Sequence, residues 1–315
     1  MAALIFIGAL IAAGTMGFAI QRGATCTVAA VDEIVQRRKI SRLSAMLEAA
    51  VWVAVGLGLA EHFHMLTALP GGFDTTFWTI SGAALLGLGA YINGACVFGG
   101  IARLGSGQWG YVFMPLGYFL GCLAMPLIFT MPVVIPREST ATMSLAASLA
   151  LWPLGLLLLW RFGRLIMELR TQATRAVWSP RLATIVIGFT FLATLLLSGR
   201  WAYTEVLADL AHGMAEGSWQ RILMALALFG GAMVGGLTTG RFRWTSPGLT
   251  GVIRCLLGGA MMACGSLLIP GSNDGLILIG MPLLWPYAWS GFLTMCISIA
   301  IAQLVGRYMS RGQPA

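Results

Sequence analysis

Charge is scarce in this chain of 315 residues: 10% of them are Asp, Glu, Lys or Arg, against about 25% in an ordinary soluble domain. Apolar residues make up 58% and mean hydropathy is +0.85, which excludes a water-soluble globule. Lysine occurs once, at Lys39, and the three histidines, His62, His64 and His212, fall in polar loops with no cysteine partner. The six cysteines include no C-x-x-C pair, which argues against a metal framework. At least five of them sit inside apolar stretches, where disulfides are rarely built, so they read as free thiols. No Walker loop is present, and ATP hydrolysis has no support. No cofactor and no metal are expected.

What the chain has instead is long apolar runs, such as Leu154-Gly155-Leu156-Leu157-Leu158-Leu159. A transmembrane β-barrel alternates polarity over segments of about ten residues, and these runs do not alternate. The fold class expected is an all-α polytopic membrane protein. The net charge of +8 comes from 18 Arg and one Lys dispersed between apolar runs, a pattern that argues against nucleic acid and leaves lipid as the surrounding partner. No small-residue cleavage site follows the first apolar run, so residues 1–20 are expected to stay in the mature protein.

Basic residues mark the cytoplasmic side. They cluster at Arg37, Arg38, Lys39 and Arg42, across 161–181, at Arg241 and Arg243, and at Arg307 and Arg311. Two acidic stretches without Lys or Arg, Glu61–Asp74 and Glu205–Glu216, are expected outside. Joining these sides gives nine spans near 1–20, 43–60, 77–95, 109–130, 141–160, 182–200, 219–239, 250–270 and 285–305, with the amino terminus outside and the carboxyl terminus cytoplasmic. Stretches 26–36, 96–104 and 272–284 are too short to cross and too apolar for loops, and are expected as re-entrant half-helices. Non-helical backbone survives in a membrane only where protein or a water-filled cavity covers it, so these breaks are where a passage is sought.

Shifting the chain by 176 residues aligns Gly82–Ala90 with Gly258–Ser266 without a gap, small residue on small and large on large. Small positions in one stripe let helix backbones approach closely. Five crossings separate the two starts, so the copies run in opposite directions. Inverted repeats with broken helices are a transporter architecture whose substrate site lies at the repeat interface. The expected organisation is a first half over 1–160, a basic cytoplasmic linker over 161–181 and a second half over 182–315.

Two breaks carry a cysteine after a Gly-Ala pair: Gly23-Ala24-Thr25-Cys26 and Gly94-Ala95-Cys96. A helix beginning there exposes unpaired N–H groups and about half a positive charge, which holds anions. A thiol adds a weak donor for a soft sulfur acceptor. The third break reads Pro270-Gly271-Ser272-Asn273, followed by Asp274 as a cap of the short helix or, less favoured, a proton carrier. Arg22, four residues before Cys26, and Arg103, seven after Cys96, are candidates to draw an anion inward or simply to snorkel. Cys122, Cys255, Cys264 and Cys296 lack the glycine setting and read as small apolar residues. Intramembrane acids are few, with Glu48 the main candidate for proton coupling.

The motifs Gly17–Cys26, Gly87–Cys96 with Arg103-Leu104-Gly105-Ser106-Gly107, Thr239-Gly240-Arg241-Phe242-Arg243 and Gly271-Ser272-Asn273 together resemble the YeeE/YedE family of bacterial inner-membrane proteins. The resemblance implies an hourglass of inverted repeats that takes up thiosulfate and related compounds through a constriction lined by cysteines. Cys26 and Cys96 match two of those cysteines, and Ser272 stands where the third belongs. A hydroxyl donates a hydrogen bond but is a poorer partner for soft sulfur, which points to a shifted substrate. The resemblance also implies a small cytoplasmic sulfur-carrier protein as a partner, with the 161–181 linker as a docking surface or a plain positive-inside loop.

The expected function is therefore a permease, not an enzyme, with Cys26, Cys96, Ser272, Asn273, Gly94 and Gly271 forming the substrate site and Arg22 and Arg103 as electrostatic helpers. Two alternatives are a membrane-embedded sulfurtransferase that forms a persulfide on Cys96 and a non-transporting membrane subunit.

Overall fold

The computed structural model describes residues 2–65, 71–130, 136–137, 175–214, 218–240, 242–269 and 271–311, with isolated positions between 156 and 171. Helix α1 (Ala2–Gly23) leads through a short gap into α2 (Thr27–Arg37), and α3 (Ser41–His62) follows. Helix α4 (Phe77–Asn93) is followed after three residues by α5 (Val97–Gly105), then a 3-10 turn (Trp109–Val112) and α6 (Phe113–Ile128). The later part contains α7 (Pro180–Ser198), α8 (Tyr203–Ala211), α9 (Ser218–Thr238) and α10 (Leu249–Leu268). A helical turn α11 (Asn273–Gly275) runs into a π-helical turn (Leu276–Gly280), and α12 (Pro286–Arg311) ends the described chain. One small antiparallel pairing, β1 (Gly72–Phe73) with β2 (Pro136–Arg137), is present.

Among the described residues, eight helices are long and apolar enough to cross a membrane. They coincide with eight of the nine expected spans, and the ninth, 141–160, lies outside the described residues. The protein is an all-α polytopic membrane protein.

Local sequence sets the helix starts. Thr76 and Thr79 close a reciprocal capping box at α4, Thr79 N–H donating to the Thr76 hydroxyl at 3.4 Å and Thr76 N–H donating to the Thr79 hydroxyl at 3.1 Å. At α7 the Ser179 hydroxyl accepts from Leu182 N–H at 3.2 Å and Pro180 occupies the first helical position.

Glycine decides how the helices meet. A Cβ built on Gly82 would lie 2.7 Å from the Gly265 carbonyl oxygen, and one on Gly265 would lie 2.5 Å from that of Gly82. The same holds for Gly89 and Gly258, at 2.8 Å in each direction. Helices α4 and α10 therefore run antiparallel with backbones in contact. Residues 82 and 258, and 89 and 265, are the pairs that a 176-residue shift superimposes, so exchanging counterparts turns the Gly82–Gly265 contact into the Gly258–Gly89 contact. That reciprocity is the mark of a two-fold interface. Helix α1 approaches α9 by the same means, with Gly14 against Gly231 and Gly17 against the Leu228 carbonyl.

The offset extends to whole elements. Helices α2 and α8 begin 176 residues apart, at Thr27 and Tyr203, and so do α5 and α11, at Val97 and Asn273. Helix α8 is a fourth short helix that the sequence reading had placed in an external acidic loop. It carries Glu205 and Asp209, but it also turns Tyr203, Thr204 and Val206 into the interior.

Replacing Gly231 by Ala would put a methyl 1.8 Å from the Gly14 carbonyl oxygen, whereas Gly251 has nothing within 4 Å. Gly231→Ala is expected to lower stability by about 1–3 kcal/mol. Gly251→Ala should leave it unchanged or raise it by about 0.5–1 kcal/mol. Melting of the purified variants in detergent measures both.

Candidate functional site

Four short helices start from the same backbone pattern. Their first flanking residues are Cys26, Cys96, Ala202 and Ser272, all in extended conformation. In each, the carbonyl accepts the first helical bond from the residue four ahead: Ala30 at 3.0 Å, Gly100 at 2.8 Å, Val206 at 3.1 Å and Leu276 at 3.0 Å. None of the four uses its own side chain as a cap. The first-turn N–H groups of these helices are thus left for other partners.

The chain prepares each break with a residue of positive φ. Ala24 (φ 45°) ends α1, with Thr25 N–H returning to the Ile20 carbonyl at 3.2 Å, the six-to-one bond of a Schellman ending. Gly94 (φ 73°) ends α4, where the Asn93 side-chain amide donates to the Ala95 carbonyl at 2.7 Å and stiffens the turn. Gly271 (φ 151°) precedes Ser272, and its N–H returns to Ser266 at 3.1 Å.

Cys26 and Cys96 are brought together. Thr27 N–H, at the start of α2, donates to Cys96 Sγ at 3.1 Å, and Cys96 N–H, at the start of α5, approaches Cys26 Sγ at 3.5 Å. Each sulfur serves the backbone of the other's helix start. Both are buried, Cys96 completely. Gly99 makes the pairing possible, because a Cβ there would lie 2.5 Å from Cys26 Sγ.

The equivalent place in the second part of the chain has no sulfur. Ala202 stands 176 residues after Cys26 and Ser272 the same distance after Cys96. The Ser272 hydroxyl lies 2.8 Å from that of Thr204 and donates to the Asp274 carboxylate. Beside Ser272, Asn273 is fully buried with neither side-chain polar atom partnered.

Two spaces flank this layer. A crevice of about 730 Å³ is bordered by Gly94 and by Arg103, Arg254, Arg307, Asp32 and Gln36. A cavity of about 20 Å³, room for roughly one water, is bordered by Phe98, Ile101, Tyr203, Glu205 and Asp274. Gly94 faces the first space and Phe98 the second, with Cys96 between them in the chain.

The arginines divide. Arg103 donates to the Gly94 carbonyl at 2.9 Å and to the Tyr111 hydroxyl at 2.7 Å. Tyr111 donates in turn to the Asn93 carbonyl at 3.1 Å, and Arg254, which sequence reasoning passed over, donates to the Ile92 carbonyl at 3.0 Å. The open carbonyl end of α4 is therefore closed by two cations and a phenol, both cations also facing the crevice. Arg22 is placed elsewhere. It donates to the Arg175 carbonyl at 2.5 Å and the Thr238 hydroxyl at 2.9 Å, stacks on Phe18, and borders neither space. Among the described residues, no cluster of three or more His, Cys, Asp or Glu suits a metal ion.

Gly99→Ala forces the two thiols apart. The variant is expected to lose about 1–3 kcal/mol of stability and to alkylate faster at Cys26, read by mass spectrometry after timed maleimide labelling.

No curated protein matches the chain. The model of a family described as sulphur transport matches residues 22–301, a stretch that contains both cysteines, Ser272 and every short helix built around them. The chain belongs to this sulphur transport family, the YeeE/YedE family, and is a multi-pass membrane transporter of sulphur compounds.

Proposed function

We propose that the protein takes up thiosulfate or a closely related small sulfur-containing anion across the bacterial inner membrane, through the layer formed by Cys26, Cys96, Ser272 and Asn273. The observation that carries this reading is the reciprocal sulfur–amide pair. A sulfur anion reaching it meets two thiols, each a soft contact for its terminal sulfur, and the N–H groups of two helix starts for its oxygens. Its charge is met by partial positive charge from four helix ends, without a buried cation that would trap it.

In this reading the halves 1–160 and 182–315 form the two inverted repeats, joined by the 161–181 linker. The amino terminus lies outside and the carboxyl terminus inside. Arg307 on its border, with Arg37, Arg38 and Lys39 just beyond Gln36 in the chain, supports a cytoplasmic crevice by the distribution of basic residues. Arg103 and Arg254 line that crevice and receive the anion after it passes the thiols. Gly94 and Gly271 supply the breaks rather than contacts. A small sulfur-carrier protein accepting the product would dock on the linker's basic residues. Arg161 and Arg181 already hold Glu48, which among the described residues leaves Arg170 and Arg175 for that surface.

Ser272 makes the layer less sulfur-rich than one with three cysteines, and its hydroxyl already serves Thr204 and Asp274. Anions without a terminal sulfur, such as sulfite, are therefore the alternative substrates to compare.

Radiolabelled thiosulfate uptake into proteoliposomes tests the reading. Wild type is expected to show saturable uptake, and Cys96→Ala should lower it about tenfold, equivalent to the loss of one hydrogen bond of about 1.4 kcal/mol. Unchanged uptake in Cys96→Ala removes the thiol passage, and no uptake by wild type of either thiosulfate or sulfite removes the permease.

A further inference from the structure

An anion entering against an inside-negative potential is opposed by about 2.3 kcal/mol per charge per 100 mV. Glu48, the acid that the sequence singles out for coupling, is already paired. Arg181 holds one of its oxygens at 2.9 Å and Arg161 the other. Both of its oxygens are thus already engaged by guanidinium groups.

Asp274 is different. It is 6% exposed, and among the described residues no Lys, Arg or His pairs with it. Its described side-chain partners are hydroxyls: Ser272 donates to Oδ1, and Thr204 lies 3.5 Å from the same oxygen. A buried carboxylate without a counter-cation is costly, and a neutral acid at the same place is not. Asn273, next in the chain, has its whole side-chain amide buried without a partner, so this layer holds unused capacity for a polar guest.

One small cavity borders both Asp274 and a partly exposed acid. The 20 Å³ cavity touches Asp274 on one side and Glu205 on another. Glu205 keeps 29% of its side chain exposed and lies 3.5 Å from Arg200. The titratable groups near Asp274 are Glu205 and Tyr203 from α8 and Tyr118 from α6, and Tyr203 lies within electrostatic range of both Asp274 and Cys96. Helix α1 contributes Met16 and Ile20 to the cavity, α5 contributes Phe98 and Ile101, and the π turn contributes Leu278, all apolar.

We propose that Asp274 is a proton-carrying site that couples anion uptake to proton entry. The proposal rests on the permease reading above. A proton passes from outside water by way of Glu205 and the cavity to the Asp274 carboxyl, crosses as the neutral acid, and is released to water on the crevice side. No bond to the anion forms or breaks, and the charge moved per anion falls by one for each proton carried. The second part of the chain thus holds the proton site two residues beyond Ser272, the position that matches Cys96.

The test uses proteoliposomes of the full chain with a trapped pH dye, the membrane potential clamped at zero by potassium and valinomycin. Thiosulfate counterflow is measured alongside. For wild type, adding thiosulfate outside should acidify the interior, and one pH unit of outside-acid gradient should raise accumulation about tenfold per coupled proton. Asp274→Asn should keep counterflow and lose both responses. Counterflow without acidification in wild type, or acidification that survives in Asp274→Asn, overturns the proposal while leaving the permease standing. Absence of counterflow in wild type overturns both. If Asp274→Asn abolishes all transport, Asp274→Glu decides: transport with acidification supports the proton site, and transport without it overturns the site.

Discussion

The contact between α4 and α10 is the constraint from which the rest follows. Helices in a membrane gain nothing from hiding apolar surface that lipid would also cover, so close packing and backbone approach must hold them together. Glycines at 82, 89, 258 and 265 provide that approach, carbonyl against Cα, at two levels of the same pair. Once those levels are set, the carbonyl end of each helix is set too. Gly94 then has to leave α4 at one place and Gly271 has to follow α10 at another, and the short helices beginning at Cys96 and Ser272 are delivered to the interior between them.

The two parts of the chain keep this geometry and differ in the side chains they mount on it. The pattern of extended flanking residue and following short helix occurs four times, so the backbone chemistry of the layer is nearly uniform. In the first part the mounted groups are thiols that hydrogen-bond across to each other's helix. In the second they are a methyl at Ala202 and a hydroxyl at Ser272 held by Thr204 and Asp274. Soft and hard chemistry are segregated between the two parts of the chain.

Much of this was legible in the residues. Long runs with little charge gave eight of the expected spans, and a glycine or left-handed turn ahead of an apolar stretch too short to cross gave three of the four short helices. The fourth, α8, escaped because Glu205 and Asp209 have the look of an external loop. Its buried face is only Tyr203, Thr204 and Val206, too little for a periodic signal. The clue was arithmetic: the 176-residue offset carries Thr27 onto Tyr203, and applied beyond Gly82–Ala90 it locates the helix. The arginines were harder. A cation four or seven residues from a cysteine has a plausible electrostatic role, yet Arg22 satisfies a carbonyl of residue 175 and Arg103 closes the end of its own neighbouring helix. Arg254 is surrounded in sequence by apolar residues and gave no cue at all. Glu48 was misleading for a related reason, since its two partners lie more than a hundred residues away, at Arg161 and Arg181.

Under the proposed permease reading, the crossed sulfur–amide bonds decide how the passage opens. A lid that closes by burying apolar surface must be pried apart, and the cost falls on whatever opens it. Here the seal between α2 and α5 is made of acceptors, and the donors they occupy are the same N–H groups that a guest would use. An arriving anion can take over one such bond as a thiol releases it, so the number of satisfied donors is conserved through the exchange. The barrier becomes one of partner substitution, and selectivity then resides in which guests are good enough acceptors to displace a cysteine.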